Sequence, residues 1–393
     1  MSMEYTKLKN INEYKSESIN PMKSPNTVFE MYSVPIYETG HPEYLRGSNI
    51  GSNKALVQKN DVLLCKINPR INRVWVVADE SEYQNIASSE WIVVRSTKYN
   101  PEFLAWYFRS PKFKKLMTSE VTGIGGSLTR AQPRAVAEYP VPVISHQKQD
   151  DITLILNKIH SVILLRKKEL QKLDNLIKAR FVEMFGDPVE NPKGYRVATL
   201  QSLINAGDIT YHLDGNHGGD YPRSEEFVSE GVPYIGANCI SNGEVDFSLA
   251  KYLTEERAGK LRKGIAQNED VLFAHNATVG PAVVLHTTES KVILSTSLTA
   301  YRCNKESITP EYLVAYMKSD GFVMQYSNEM KQTTRNQVPI TAQKRYLFLI
   351  PPMEEQKKFS KFVKQVDKSK VVVQKALDEA QLLFNSLMQQ YFG

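Results

Sequence analysis

The sequence has few cysteines and no long hydrophobic run, and both absences narrow the class of protein. Only three cysteines occur in 393 residues, at Cys65, Cys239 and Cys303. Their odd number and wide spacing exclude a disulfide framework and a Cys-x-x-Cys metal site, which predicts a reducing, cytoplasmic setting. No stretch approaches the roughly 18 apolar residues of a membrane span, and residues 1–20 lack the apolar segment of a signal peptide. We therefore expect neither membrane insertion nor export.

Familiar catalytic motifs are missing as well. The sequence contains no Gly-x-x-x-x-Gly-Lys-Ser/Thr phosphate loop, no Gly-x-Gly-x-x-Gly after a strand and no Asn-Pro-Pro-aromatic motif. The seven histidines show no metal-ligand spacing apart from the loose pair His212 and His217. The acidic loop 214–220 does not have the spacing of an EF-hand. We expect no catalytic residues, no metal and no cofactor in this chain.

The composition is that of a folded protein with more than one domain. Apolar residues make up 41% and charged residues 23% of the chain, values far from those of disordered sequences. A length of 393 residues favours two or three compact units. The formal net charge of +6 suits a polyanionic partner, although many proteins without such a partner are equally basic.

The second half of the sequence repeats the first. Two short matches have the same spacing: Gln58–Leu64 with Gln267–Phe273, and Pro101–Leu104 with Pro310–Leu313. The longest match runs without a gap and pairs Gln149–Gly186 with Gln356–Gly393. A shared spacing over several matches does not arise by chance. The chain is therefore a tandem duplication with pseudo-two-fold character.

The gap-free match predicts two long helices that form a coiled coil. Proline-bearing segments precede both, so each helix begins after them. Apolar residues recur in alternating steps of three and four, which is a heptad seam. The seam residues are Ile152, Leu156, Ile159, Ile163, Leu170, Leu173 and Ile177 in the first helix, and Phe359, Val363, Val366, Val373, Leu377, Phe384 and Leu387 in the second. Either the sister helix covers each seam, which we favour, or each seam packs only on its own domain.

Two α+β units surround these helices. Short β-branched and aromatic runs such as Val62–Leu64 and Val271–Phe273 predict strands, and Pro101–Phe108 and Pro310–Met317 predict helices with proline in the first turn. The predicted organisation is a first domain at 1–146, a central helix at 147–186, a linker at 187–194, a second domain at 195–352 and a C-terminal helix at 353–393. The linker is rich in helix-breaking residues.

The two copies differ most in their loops. Residues 66–73 correspond to 274–281, and residues 123–134 correspond to 330–337, yet the side chains are unlike. Arg, Asn and Gln pair with guanine and adenine edges, and Lys suits phosphates. Taken singly, each loop is more typical of a solvated surface turn. The occurrence of both loops at matching positions of the repeat makes DNA contact an equally good interpretation. The candidate DNA contacts are Lys66, Asn68, Arg70, Arg73, Arg130, Gln132 and Arg134 in the first unit, and His275, Asn276, Lys331, Arg335, Asn336 and Gln337 in the second.

With these features assembled, the chain resembles the specificity subunit of type I restriction-modification systems over nearly its whole length. The segment Leu349-Ile350-Pro351-Pro352-Met353-Glu354-Glu355-Gln356 is similar to that family's lead into its conserved helix, whereas the central copy has Ser145-His146-Gln147-Lys148-Gln149. The resemblance implies two target-recognition domains that each read half of a bipartite site in double-stranded DNA, and two antiparallel helices that act as spacer and docking surface. It also implies two modification (methyltransferase) subunits and restriction subunits as partners, which would hold S-adenosylmethionine and ATP.

Two other functions remain open at this stage. The chain could be a coiled-coil scaffold whose globular units bind protein, or an enzyme with an unfamiliar site. DNA affinity falls steeply with salt because counterions are released, whereas an apolar protein interface responds little. Methylation or cleavage by the isolated chain would indicate the enzyme.

Overall fold

The computed structural model describes residues 4–78, 80–119, 121–122, 129–330 and 336–393. Its contacts divide the chain into two compact units. Unit 1 contains residues 1–167 and 375–393, and unit 2 contains residues 168–374. This division differs from the domain boundaries that the sequence predicts. Each unit includes the beginning of one long helix and the end of the other, because apolar side chains from both complete its core.

Unit 1 is built on two small sheets. The three-stranded antiparallel sheet has the order Val74–Val76, Val62–Cys65, Trp91–Val94. The five-stranded sheet has the order Ser18–Ile19, Lys54–Leu56, Gln84–Ala87, Val28–Tyr32, Glu43–Arg46. Two further pairs join Tyr5–Lys7 to Pro140–Pro142 and Val121–Thr122 to Arg130–Ala131. The strand predicted from the Asp-Val-Leu motif is thus the central strand of its sheet.

Three short helices and one long helix follow these strands. They are α1 (Pro101–Arg109), α2 (Pro111–Ser119), α3 (Pro133–Ala137) and α4 (His146–Phe185). Helices α1 to α3 begin with proline, which the first turn tolerates because that N–H has no helical partner. The main core of unit 1 contains α1 side chains, Ile152 and Leu156 of α4, and Met388 and Phe392 from the C-terminal helix.

Unit 2 repeats this plan with additions. Its four-stranded antiparallel sheet has the order Ile209–Asp214, Leu298–Cys303, Val271–Asn276, Thr278–Val284. Its five-stranded sheet has the order Phe227–Val228, Lys251–Leu253, Val232–Ile235, Val292–Leu294, Ile265–Ala266. Arg196–Thr199 pairs with Leu347–Ile350, and Ile240–Ser241 pairs with Glu244–Val245. The outer strand Ile209–Asp214 has no counterpart in the three-stranded sheet of unit 1.

The helices of unit 2 are α5 (Leu200–Ala206), α6 (Glu255–Gly259), α7 (Pro310–Met317), α8 (Asp320–Met330) and α9 (Ile340–Gln343), followed by α10 (Met353–Phe392). Helix α7 corresponds to α1, and α10 corresponds to α4. The main core of unit 2 contains Phe181 and Phe185 of α4 together with Phe359 and Val363 of α10. The predicted linker, residues 187–194, contains neither helix nor strand.

Helices α4 and α10 pack against each other in antiparallel fashion, which confirms the coiled coil. Within unit 2, Asp174 Oδ1 lies 2.9 Å from Lys370 Nζ, and the Phe181 and Phe359 rings are 5.8 Å apart, so numbers rise along one helix as they fall along the other. Within unit 1, the rings of His160 and Phe384 are 6.2 Å apart. Every side chain of the proposed seam is buried or half-buried.

A buried ion pair occurs at the same place in each unit. Arg95 donates two hydrogen bonds to the carboxylate of Asp61, both 2.7 Å, and Arg302 donates two to Asp270, both 2.8 Å. Each carboxylate also accepts the backbone N–H three residues earlier, at 2.9 Å. Asp61 is 0% and Asp270 1% exposed. Because a buried charge is costly without a partner, each pair fixes two neighbouring strands of its sheet.

A buried glutamine near the start of each long helix is duplicated too. The side chain of Gln149 accepts the N–H of Asn100 at 2.7 Å and donates to the carbonyl of Ile144 at 3.1 Å. The side chain of Gln356 accepts the N–H of Thr309 at 3.0 Å and donates to the carbonyl of Pro351 at 2.9 Å. These bonds tie the proline-bearing segment, the long helix and α1 or α7 together in each unit.

Candidate nucleic-acid interface

In unit 1, two loops predicted to contact DNA form one edge. Residues Pro69–Ile71 make a single helical turn between Asn68 and Asn72, which have φ of 49° and 55°. Asparagine adopts this left-handed conformation more readily than most residues. The N–H of Asn68 donates to the carbonyl of Thr129 at 2.8 Å, and the N–H of Ala131 donates to the carbonyl of Lys66 at 2.9 Å. These bonds hold segment 129–132 beside loop 66–73. We call residues 66–73 and 129–134 edge 1.

The side chains of edge 1 differ in their freedom. Arg70 and Arg134 are exposed, whereas Lys66, Asn68, Arg73 and Gln132 are half-buried. The guanidinium of Arg130 donates two 3.3 Å hydrogen bonds to the Glu90 carboxylate, and these bonds raise the pKa of Arg130. Within the described part of the chain, Asn68 Oδ1 and Arg73 Nε are buried without a hydrogen-bond partner. Edge 1 therefore offers the exposed guanidinium groups of Arg70 and Arg134, together with the buried amide oxygen of Asn68, which has no hydrogen-bond partner among the described residues. Residues 123–128 lie outside the described residues.

In unit 2, the corresponding loops form the same kind of edge. The strands Val271–Asn276 and Thr278–Val284 make a hairpin that reverses at Ala277, whose φ is 64°. The N–H of Ala277 donates to the carbonyl of Asn336 at 3.0 Å, and the N–H of Val338 donates to the carbonyl of His275 at 2.8 Å. Isolated β-bridges join Asn276 to Gln337 here and Ile67 to Arg130 in unit 1. We call residues 274–278 and 336–338 edge 2.

Edge 2 corrects one expectation. Residues 274–281 are not a loop, because the strands continue almost to the turn and place alternate side chains inside. His275 is 1% exposed and shares a 3.0 Å hydrogen bond between Nδ1 and the carbonyl of Val338. Burial lowers its pKa. A neutral imidazole in this position supports the edge rather than facing solvent.

The remaining candidates of unit 2 divide into two groups. Asn336 is exposed, and Asn276 and Gln337 are half-buried. Lys331 and Arg335 lie outside the described residues. Among the described candidates, edge 2 therefore presents amide side chains, whereas edge 1 presents arginines together with Lys66, Asn68 and Gln132.

A buried polar network supports edge 2. The amide oxygen of Gln343 accepts hydrogen bonds from the Tyr301 hydroxyl at 2.5 Å and from His212 Nε2 at 3.1 Å. Its amide nitrogen donates to Thr299 Oγ1 at 3.2 Å and to the carbonyl of Val338 at 3.3 Å. Burial lowers the pKa of His212 to about 4, so the imidazole is neutral near neutral pH. Sequence reasoning missed this network because its members are far apart along the chain and belong to no motif.

The long helices also carry exposed apolar side chains, and these recur in the repeat. Leu164 and Leu165 of unit 1 are 53% and 65% exposed, and their repeat equivalents in unit 2, Val371 and Val372, are 59% and 69% exposed. Leu383 in unit 1 and its equivalent Leu176 in unit 2 are 51% and 47% exposed. Each unit thus exposes aliphatic side chains at the same positions of the repeat. We call Leu164, Leu165 and Leu383 helix patch 1, and Val371, Val372 and Leu176 helix patch 2.

No group of three or more His, Cys, Asp and Glu side chains is placed to hold a metal ion within the part of the chain that the structure describes. None of its helices is both long and apolar enough to cross a membrane.

The geometry defines a class: a duplicated α+β protein with one loop edge per unit and two paired helices. Residues 197–380 match the family model described as the type I restriction modification DNA specificity domain. No curated protein matches the sequence.

Solved structures share the fold over the whole chain. The S subunit of a type I restriction-modification system from M. genitalium has 14% identity and a TM-score of 0.58, with 100% of this chain and 96% of that chain covered. A structure from work on complex assembly and conformational transition of the type I R-M system has 19% identity and a TM-score of 0.54, with 99% and 97% covered. Residues 197–380 are thus similar to the type I restriction modification DNA specificity domain, and the chain shares its fold with these solved structures. The resemblance drawn from the sequence agrees with the family match over residues 197–380.

Proposed function

We propose that the chain reads a bipartite DNA target, with edge 1 reading one half and edge 2 the other. One observation supports this proposal. In both units a pair of backbone hydrogen bonds holds together two segments that are distant in sequence, but the side chains of these segments differ between the units. A repeated frame with unlike side chains is suited to two similar readings of two different sequences.

At edge 1 the exposed Arg70 and Arg134 supply the base or phosphate contacts. Arginine forms paired hydrogen bonds with guanine O6 and N7 in the major groove. Arg130, which Glu90 holds in place, orients the edge and adds positive charge near it. Lys66, Asn68, Arg73 and Gln132 lie close behind and complete the contact surface.

At edge 2 amide groups supply most of the base contacts. Asn and Gln form paired hydrogen bonds with adenine N6 and N7. Asn336, Gln337 and Asn276 are therefore assigned to base contacts, and Lys331 and Arg335 on the adjoining segment to bases or phosphates. His275 acts as a positioning residue through the carbonyl of Val338.

The helix patches recruit the partner subunits. Exposed contiguous apolar side chains on a soluble protein mark interaction surfaces. Because helix patches 1 and 2 occupy the same positions of the repeat, one kind of partner can bind twice. We assign them to two copies of a modification (methyltransferase) subunit, which bring S-adenosylmethionine. Restriction subunits, with ATP, join the same assembly in the cytoplasm, where the complex methylates host DNA and attacks foreign DNA.

Methylation mapping tests the two-reader assignment. The chain is co-expressed with its modification subunit in a host without the system, and methylated positions are mapped across the genome. Arg70→Ala with Arg134→Ala should relax or change one half of the methylated sequence only, and Asn336→Ala with Gln337→Ala the other half only. Arg46→Ala, an exposed arginine of unit 1 outside edge 1, is the matched control. A change in both halves from either pair contradicts the assignment.

Native mass spectrometry tests the docking surface. Leu164→Asp with Leu165→Asp should reduce the number of bound modification subunits from two to one, and so should Val371→Asp with Val372→Asp. Leu249→Asp changes a 50% exposed leucine away from the helices and should leave the complex intact. Full assembly in both double variants would remove the patches from consideration without affecting the DNA assignment.

A further inference from the structure

Unit 2 contains a cavity of about 950 Å³ beside its long helices. The lining includes apolar residues Ile177, Phe181, Ala315 and Val363, together with the charged residues Lys318 and Asp367. Protein interiors have few voids larger than a water molecule, whereas small-molecule sites typically measure about 300 to 1,000 Å³ and are mostly apolar with a few polar groups. The volume is therefore in the range of ligand sites, and the apolar residues form one part of a lining that also carries many charged side chains, among them Asp174, Lys364 and Lys370.

The same place in unit 1 is filled by Trp106. Its indole is 4% exposed and makes edge-to-face contacts with His160 and Phe384, with ring centroids 5.1 and 5.5 Å away. Its Nε1–H donates to Asn157 Oδ1 at 2.7 Å. The guanidinium of Arg109 lies 4.9 Å from the indole centroid. An aromatic heterocycle, a cation over its face and polar groups at its edge complete this packing.

The repeat relates the two places residue by residue. Trp106 corresponds to Ala315, Phe384 to Ile177, His160 to Asp367 and Arg109 to Lys318. All four residues in unit 2 line the cavity. Three aromatic rings are thus replaced by smaller side chains, while the cation is kept. Asn157, which accepts the indole N–H in unit 1, corresponds to Lys364, which also lines the cavity. The cavity corresponds to the space that an indole ring and its aromatic neighbours occupy in unit 1.

The charged groups indicate what the cavity would bind. Lys318 stands where Arg109 covers the indole, and a cation over an aromatic face is attractive. Asp367 takes the position of His160, whose ring packs against the indole in unit 1. It is half-buried in the lining, with a carboxylate oxygen 3.7 Å from Lys370 Nζ, and Lys370 is held in turn by Asp174 at 2.9 Å. An ionised carboxylate accepts hydrogen bonds but donates none, so it suits a ligand that carries an N–H donor.

We propose that unit 2 binds a small planar aromatic heterocycle that carries an N–H donor, in the space that Trp106 fills in unit 1. The ring lies among Ile177, Phe181, Ala315 and Val363, with Lys318 over its face and its N–H directed to Asp367. This site is separate from edges 1 and 2 and does not depend on the DNA-reading proposal.

Titration calorimetry with indole on the full chain tests the site. The wild-type chain should bind one indole, and Ala315→Leu, which places a larger side chain in the cavity, should weaken binding at least tenfold. Ala179→Leu makes the same change at an exposed position of α4 outside the lining and should bind as the wild type does. Absence of indole binding to the wild-type chain, or equal binding by Ala315→Leu, overturns the proposal.

Two further measurements sharpen the test. N-methylindole lacks the donor and should bind the wild-type chain severalfold more weakly than indole, and equal affinity overturns the assigned role of Asp367. Trp106→Ala opens the corresponding space in unit 1 and should raise the number of bound indoles from one to two. A number that stays at one contradicts the equivalence of the two places. The N-methylindole comparison needs no variant, so it holds even if a substitution impairs folding.

Discussion

Units 1 and 2 have kept the same buried polar contacts, while the side chains of their loop edges differ. The Asp61–Arg95 and Asp270–Arg302 pairs agree almost atom for atom, as do the bonds of Gln149 and Gln356. The edges instead differ, with arginines in one unit and amides in the other. The buried polar groups therefore fix the backbone structure of each unit, and the side chains of the edges can differ without changing it.

The largest expected effect concerns the buried ion pairs, which should be equivalent. Arg95→Met and Arg302→Met each leave a buried carboxylate without its partner, and breaking such a pair costs about 3–5 kcal/mol. Hydrogen exchange should show each substitution destabilising its own unit by a similar amount. Lys305→Met removes a more exposed ion pair with Glu269 and should cost less than about 1 kcal/mol. A large effect in one unit and none in the other would break the comparison.

Acid should destabilise unit 2 more than unit 1, because only unit 2 has the strand that carries His212. The pKa of His212 falls from 6.5 to about 4 on burial, so the unfolded chain binds the proton first as the pH drops. Stability is complete above pH 6.5 and is lost towards pH 4, by up to about 3 kcal/mol at 1.36 kcal/mol per unit. The free energy of unfolding, measured across this pH range, should fall less steeply in His212→Gln than in the wild type. The exposed His217→Gln is the control, and an equal slope in wild type and His212→Gln would contradict the prediction.

A smaller and again equal effect is expected at the two glutamines. Gln149→Ala and Gln356→Ala each leave a buried backbone N–H without its acceptor, which costs about 1–3 kcal/mol. The amides of Asn100 and Thr309 should lose hydrogen-exchange protection in the respective variants. Gln147→Ala, at an exposed glutamine of the same helix, should change neither value. Unchanged protection at Asn100 or Thr309 would show that the bond is not structural.

The smallest expected effect distinguishes α1 from α7. Asn100 Oδ1 accepts the N–H groups of Glu102 and Phe103, at 2.9 and 3.2 Å, whereas Thr309 makes no such bond at the start of α7. Asn100→Ala should therefore destabilise unit 1 by about 1 kcal/mol, and Asn100→Ser, which keeps an acceptor, by less. Chemical denaturation of both variants measures the difference. Equal losses would mean that another interaction of Asn100 dominates.

Much of the frame could be predicted from the sequence because it depends on local pattern. The seam follows from residues at steps of three and four, and the positions of the loops follow from the duplication. The backbone joint that brings loop 66–73 to segment 129–132 could not be predicted, since hydrogen bonds between distant segments leave no periodic mark. The duplication indicated matching positions for these loops but not their contact.

The sequence alone did not predict the positions of His275 and Ala315 in the structure. His275 has the chemistry of a DNA contact, but the Val271–Asn276 strand continues up to the turn at Ala277 and takes the imidazole inside. Alanine rarely adopts a φ of 64°, so no turn motif in the sequence predicts that hairpin. Ala315 reads as an ordinary helix residue, and its meaning becomes visible only when the packing of Trp106 is known.

The composition of unit 1 has a consequence for how the chain is made. Its core includes Met388 and Phe392, which are synthesised only after all of unit 2, although the rest of that core is encoded almost entirely in residues up to 156. Unit 1 therefore stays incomplete while unit 2 is synthesised, with aromatic side chains such as Phe103 and Tyr107 lacking their neighbour Phe392 until translation has passed it. Nascent unit 1 should depend on chaperones for longer than its place in the chain suggests.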